Sequence, residues 1–284
     1  MNYRLEYYRA PSGNFGDDLN LHLFTRLLGP SDPTSKNSLI AIGSLLHRQT
    51  LDNLAIPDDN RIHVFGTGAR GPEAACLGDN VRFHFTRGPL TASVYSKPFI
   101  ADPAYLVKLV ASQDAGADAV GFMPHIHSEK LVNWAMICST VGCQYISPTN
   151  DVETTLAAIC RCKLIVTEAM HGAIVADALG IPWVRFRFAS HFRESISTSE
   201  FKWSDWLLSV KAVPVVFEIN FADVLARLDG KLLALPVRRL FERKLIRKLR
   251  SASISQGSLS NTETRRDTLV ALEASLRNLE RELA

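Results

Sequence analysis

The chain has 284 residues, 46% of them hydrophobic, and a formal charge of +3 from 32 basic and 29 acidic side chains. That length suits two α/β cores of ordinary size, and so small a basic excess does not indicate a nucleic-acid partner. No uncharged apolar run approaches the ~18 residues that span a bilayer, and the opening MNYRLEYYRA lacks an apolar signal core.

The five cysteines, Cys76, Cys138, Cys143, Cys160 and Cys162, are odd in number and scattered through apolar surroundings. Reduced, mostly buried thiols in a cytoplasmic protein are expected. Cys160-Arg161-Cys162 lacks the spacing of a zinc knuckle, and no metal is assigned.

Leu5 to Tyr8 reads as a short strand. It enters Ser12-Gly13-Asn14-Phe15-Gly16-Asp17-Asp18 and then a helix carrying Leu19, Leu23, Phe24 and Leu27. The loop is either a turn in which Asp17 or Asp18 caps the helix or a backbone cradle for sugar or phosphate, turned closely at Gly13 and Gly16. Its spacing is neither a dinucleotide fingerprint nor a P-loop. Ser38 to Gly43 and Ile62 to Gly66 are apolar strands ending in glycine, as buried parallel strands do at a ligand edge, where His47, Thr67 and Arg70 either line that edge or lie in solvated loops. Val81 to Phe85 leads to Thr86-Arg87-Gly88-Pro89, which sets Arg87 just before a helix whose first turn holds Pro89. An arginine there suits a forked contact to carboxylate or phosphate.

Residues 112 to 119 lose hydrophobicity and mark a domain junction. The second half then alternates: strand Ala119 to Met123, Pro124-His125-Ile126-His127, helix Glu129 to Val141, strand Gln144 to Ile146, helix Val152 to Cys160, strand Lys163 to Thr167, helix Gly172 to Leu179, strand Trp183 to Phe188. This is the pattern of a doubly wound domain. His125 and His127, in an extended loop, would point opposite ways, so that one at most reaches a site. Glu168 and His171 lie just past a strand end and beside a helix N-terminus, where an anion is favoured. Arg185 and Arg187 share one face of the last strand, as surface charges or ligand clamps. His191, Arg193, Trp203 and Trp206 suggest a loop and helix closing the domain, and Val213 to Phe217 reads as strand or linker.

From Pro236 the composition changes. Residues 237 to 250 hold seven Lys or Arg against one Glu, with Leu240, Phe241, Leu245, Ile246 and Leu249 on an apolar side. This basic amphipathic helix has either a solvated basic face or one that meets anionic lipid. Leu269, Leu272, Leu276, Leu279 and Leu283 then form a short heptad seam, suited equally to docking on its own domain or to self-association through 265 to 284. The division expected is 1–112, 118–235 and a helical extension 236–284.

Taken in order, Gly13-Asn14-Phe15-Gly16-Asp17-Asp18, Gly66-Thr67-Gly68, Thr86-Arg87-Gly88-Pro89-Leu90-Thr91, Asp102-Pro103-Ala104, Pro124-His125 and Glu168-Ala169-Met170-His171-Gly172 through Ile181-Pro182 resemble the polysaccharide pyruvyl transferases, over roughly residues 5 to 188. The likeness is to the bacterial exopolysaccharide, succinoglycan-type ketal transferases. It implies an α/β fold of two Rossmann-like domains facing across a cleft, similar to GT-B glycosyltransferases, with the acceptor on the first and phosphoenolpyruvate on the second. It also implies transfer of the enolpyruvyl group to two hydroxyls of one sugar, with phosphoenolpyruvate as substrate and no cofactor. Many members carry Ser-Arg-Leu-His where this chain has Glu168-Ala169-Met170-His171, so the missing charge must come from Arg87, Arg185 or Arg187.

The reading that follows has His171 as general acid and His125 or His127 as base for an acceptor hydroxyl. Glu168 orients His171 or accepts a sugar hydroxyl, and Asn14, Asp17, Thr67, Gly68 and His127 bind substrate. The expected partners are phosphoenolpyruvate, a lipid-linked oligosaccharide at the cytoplasmic face and an anionic membrane surface touched by 237 to 250. Two rivals are a GT-B glycosyltransferase using a nucleotide sugar and a non-catalytic glycan-binding or assembly subunit.

Overall fold

A computed structural model describes residues 1–188, 194–219 and 235–284, the last stretch with side chains from 239 onward. His191 and Arg193 lie outside the described residues. The chain forms two compact units: residues 1–110, 197–212 and 260–284 make the first, and 111–196 with 213–259 make the second. The sequence-read junction at 112–119 begins beside the first of these boundaries. The terminal segment read as one extension contributes a helix to each unit.

The first unit contains β1 (Arg4–Glu6), α1 (Phe15–Leu28), β2 (Asn37–Ile40), α2 (Arg48–Leu54), β3 (Arg61–Phe65), β4 (Val81–Phe85), α3 (Pro89–Tyr95) and a 3-10 helix (Pro103–Leu109). Its strands are all parallel, in the order β1-β2-β3-β4. Each crossover therefore steps the same way, and among the described strands the winding never reverses. The expectation of a doubly wound, Rossmann-like sheet is not met in this half. Phe24, Phe65 and Phe85 pack edge to face within its core, and the buried Tyr3 hydroxyl donates to the carbonyls of Phe24 and Gly29.

In the second unit the chain runs β5 (Ala119–Met123), α4 (Trp134–Val141), β6 (Gln144–Tyr145), α5 (Val152–Cys160), β7 (Cys162–Thr167), α6 (Met170–Leu179) and β8 (Trp183–Arg187). It then gives α7 (Ile196–Ser209), all but its first residue, to the first unit and returns as β9 (Val216–Glu218) and α8 (Leu235–Ser253). The sheet is parallel throughout, ordered β6-β5-β7-β8-β9. From β5 the chain steps outward to β6, then crosses back to the other side of β5 for β7. This is the doubly wound order, and its switch point lies between β5 and β7.

Helix limits follow local chemistry. The helix expected from Glu129 starts instead at Trp134, because the Asn133 side chain accepts from the Met136 N–H and sets the N-terminus there. Asp151 caps α5 by accepting from Thr154 N–H, and Gly142 and Gly180 end α4 and α6 in the left-handed region. Helix α6 lies directly on the strand ends through Gly172, where a Cβ would meet Thr167 Oγ1 at 2.6 Å and Met123 Sδ at 3.0 Å.

The two C-terminal helices bury their apolar sides at home. Phe241, Leu245, Leu249 and Ala252 of α8 join the second core with Phe122, Trp134, Phe186 and Phe188. In α9 (Thr262–Leu283), Leu272, Leu276, Leu279 and Leu283 are buried, and the helix packs by the 3-10 helix of its own unit. Of the two readings of that seam, docking is the one found. No described helix is long and apolar enough to cross a membrane.

One buried ion pair ties the loops of the first unit together. Asp205, on α7, accepts from Arg87 Nε at 3.1 Å, from the backbone N–H groups of Leu90 and Thr91 at 3.0 Å each, and from the Thr91 hydroxyl at 2.7 Å. Both charged side chains are wholly buried. Removing one partner of such a pair leaves the other charge stranded, so Asp205→Ala should cost about 3–5 kcal/mol of stability. Urea denaturation checks this, and a loss near zero would contradict it. Gly172→Ala, which forces a methyl between α6 and Thr167, should cost about 1–3 kcal/mol in the same measurement; a neutral effect would mean that α6 can lift from the strands freely.

Candidate active site

At the carboxyl ends of β5 and β7 two loops are tied together. The Glu168 N–H donates to the Met123 carbonyl at 2.9 Å, and Glu168 Oε2 accepts the His125 N–H at 3.0 Å. Glu168 is only 4% exposed, so a carboxylate that sequence alone put beside a strand end is built into the join between the loops. The Thr167 hydroxyl donates to the Ala169 carbonyl at 2.8 Å, shaping the turn that delivers His171 in the first turn of α6. Ala169, the N-cap residue, has no side-chain acceptor with which to cap that helix. His171 is half-buried, with Nε2 out of solvent.

Residues 125 to 128 form a turn, not the extended loop expected. The Ser128 N–H donates to the His125 carbonyl, and the His127 N–H donates to His125 Nδ1 at 3.2 Å. The two imidazoles lie 4.9 Å apart, so the expectation that they point opposite ways is corrected by the turn. Because Nδ1 of His125 accepts, a neutral ring carries its proton on Nε2. His125 is half-buried and His127 exposed.

Arg185 stands on β8 in register with Thr167, so their side chains leave the same face of the sheet. It is 5% exposed, which makes it an interior cation. Arg187, two residues on, is partly exposed and pairs with Glu218 at 3.5 Å.

The candidates of the first unit lie around the carboxyl edge of its sheet. Asn14 caps α1: Oδ1 accepts from Gly16 N–H, Nδ2 donates to Asp17, and its own N–H donates to Asp18. Thr67 is fully buried; its hydroxyl donates to the Gly43 carbonyl and accepts the Leu45 N–H. Gly68 donates to the same Gly43 carbonyl, and a Cβ at Gly68 would collide with the Arg87 guanidinium. Besides Asp205, Arg87 donates to Ser44 Oγ at 2.8 Å and to the Ala69 carbonyl at 3.2 Å. Its partners are thus the loops after β2 and β3 rather than the anion expected, because a wholly buried guanidinium must find its acceptors inside the protein. Asp205 and Ser44 are the residues that sequence reasoning missed here. An acid set among Trp203, Trp206 and Leu207, all buried in α7, was the available signal for Asp205.

Of the five cysteines, Cys76 is exposed and Cys138, Cys143, Cys160 and Cys162 are buried. Burial pushes Cys138 and Cys162 up to about 12, so neither is a thiolate near neutral pH.

Three comparisons bear on this arrangement. The profile of the family described as "Polysaccharide pyruvyl transferase" matches residues 14–189, from the α1 cap through β8. Succinoglycan biosynthesis protein ExoV of Rhizobium meliloti (strain 1021) is 34% identical over 209 residues, covering 70% of this chain and 62% of that protein. Among solved structures, CalG4, the calicheamicin glycosyltransferase, covers 92% of this chain and 60% of its own at 12% identity, with a TM-score of 0.25. The profile match takes in the strand-end loops of both units, including His125, Glu168 and His171, and the chain belongs to the polysaccharide pyruvyl transferase family.

Proposed function

We propose that this protein transfers the enolpyruvyl group of phosphoenolpyruvate to two hydroxyls of one sugar in a bacterial exopolysaccharide repeat unit, forming a cyclic pyruvate ketal and inorganic phosphate. The observation that carries the reading is the tie between the His125 loop and the turn from Glu168 to His171 at the β5–β7 switch point of a doubly wound sheet, where such folds bind ligands. Family membership supports the reaction class, and the name of the relative ExoV supports the kind of product.

The chemistry needs a proton on the methylene carbon of phosphoenolpyruvate, which makes the phosphate-bearing carbon electrophilic. His171 donates that proton, as an imidazole suits a donor working near neutral pH. An acceptor hydroxyl adds to the electrophilic carbon and gives its proton to one of the paired imidazoles of His125 and His127. Phosphate then departs, and the second hydroxyl closes the ring. Of the two hydroxyl protons released, one replaces that given by His171 and the other leaves on phosphate, so the balance closes without a cofactor.

Arg185 supplies the positive charge that Ala169 does not, an assignment supported by its register with Thr167 at the same strand ends. Arg187 stands behind it. Glu168 holds the His125 loop against the His171 turn. In the first unit Arg87 keeps the strand-end loops in shape for the acceptor, with Asn14, Asp17, Thr67 and Gly68 at the same edge.

His171→Ala should lower turnover about 10²- to 10⁴-fold, read as phosphate released from phosphoenolpyruvate with purified lipid-linked repeat units. The variant should still be stabilised against heat by phosphoenolpyruvate. Near-normal turnover would remove His171 from the proton step. Release of a nucleoside diphosphate from a sugar nucleotide, with phosphoenolpyruvate inert, would overturn the reaction itself.

The acceptor reading also gives α8 a task. Its apolar side is buried, and Arg239, Arg243, Arg247 and Arg250 form an exposed row at steps of four, four and three. Leu240 stands beside them, 70% exposed. Such a row suits a lipid surface rich in anionic headgroups, at about 1 kcal/mol per arginine. Changing all four to Gln should abolish co-sedimentation with phosphatidylglycerol vesicles, and salt should weaken the parent's binding. Equal binding by the variant would show that α8 is a solvated face only.

A further inference from the structure

We propose that His63, His84 and Glu282 form a binding site for one zinc-class divalent ion, which fastens the C-terminal helix α9 to strands β3 and β4. The proposal is independent of the reaction above, and all three residues belong to the first unit.

The three ligand atoms, one from each residue, lie within 4.8 Å of one another. His63 Nδ1 and His84 Nε2 are 3.1 Å apart, and Glu282 Oε2 is 4.0 Å from His63 Nδ1. Around a tetrahedral ion with bonds of about 2.0–2.1 Å, neighbouring nitrogens stand roughly 3.3 Å apart. The imidazole pair is therefore already close to ligand spacing, and the carboxylate, within 4.8 Å of both nitrogens, must approach by up to about 1.5 Å. Two imidazoles and one carboxylate suit zinc and its first-row neighbours better than magnesium or calcium.

A supporting contact fixes the tautomer. Asn37 Nδ2 donates to the Asn2 carbonyl, which turns Asn37 Oδ1 toward His63 Nε2 at 3.3 Å. Nε2 of His63 then carries the proton, and the Nδ1 lone pair faces the site, as an outer hydrogen bond does for a metal-bound histidine.

The carboxylate already holds a cation. Arg82 Nε and Nη2 sit 2.5 and 2.6 Å from its two oxygens. Arg82 is 56% exposed, so this pair opens at little cost and a bound ion would take its place. For the ion to enter, the two rings, now near-parallel at 22° with centroids 5.4 Å apart, turn their nitrogens toward it and Arg82 swings to solvent. Arg61 and Arg82 add positive charge that opposes binding, which makes Arg82 the natural control.

The test uses the full-length, tag-free protein in a Cys76→Ser background, since Cys76 is exposed and would itself bind zinc. After chelator treatment, calorimetric titration with Zn²⁺ should show one equivalent bound, and Co²⁺ should give the visible absorption of a low-coordinate N/O site. His84→Ala and Glu282→Gln should each remove the signal, Asn37→Ala should weaken binding about 10–100-fold, and Arg82→Gln should tighten it. Thermal melts with Zn²⁺ should rise for the parent and stay flat for Glu282→Gln, an exposed-end substitution that keeps the strands intact. No binding by the parent at 100 μM Zn²⁺, or binding unchanged in both His84→Ala and Glu282→Gln, would overturn the site.

Discussion

A parallel sheet obliges every connection to cross one of its faces, and where successive crossovers take opposite directions the strand ends are left without a covering loop. In the second unit that reversal falls between β5 and β7. Everything proposed for catalysis hangs on it. The loops after these strands are brought side by side by the β5–β7 ladder, and Glu168 closes the gap with one bond from its backbone and one to its side chain. Gly172 lets α6 sit low enough on the strands for His171 to join them. Geometry of this kind comes from backbone pairing rather than from long flexible side chains, which is what a proton donor needs if it is to meet one carbon atom.

The first unit is built on a different economy of contacts. Its sheet winds one way, and its carboxyl edge is held by a buried arginine whose donors reach the loops after β2 and β3 and a carboxylate from α7. An Arg–Gly–Pro element before a helix looks like an anion grip in sequence. In the folded chain the same residues are a frame, with Asp205 serving at once as counter-ion to Arg87 and cap to α3. A frame so deeply desolvated is intolerant of losing either charge, and it fixes loops without offering them a free cation.

How much of this was legible in the sequence depends on range. Periodicity and apolar runs located β4, β5, α5, β7, α6 and β8 to within a residue or two, and strand ends put His125, Glu168 and His171 where they are found. The order of strands is a long-range fact and was not readable, so the one-way winding of the first sheet was missed. The His125–His127 turn was misread because alternation assumes extended backbone. Arg87 and Asp205, 118 residues apart, and His63 and Glu282, on a strand and a terminal helix, meet only in the fold. Amphipathic helices announce an apolar side without saying what it covers; for α8 and α9 it is the interior of their own units.

The central claim is that phosphoenolpyruvate binds at the β5–β7 switch point of the second unit. Amide hydrogen exchange with and without saturating phosphoenolpyruvate tests it most directly. The account predicts added protection confined chiefly to residues 123–128 and 167–173, the two loops joined by Glu168. Protection instead at residues 13–18, 43–47 and 66–70 of the first unit, or none anywhere at millimolar ligand, would contradict it.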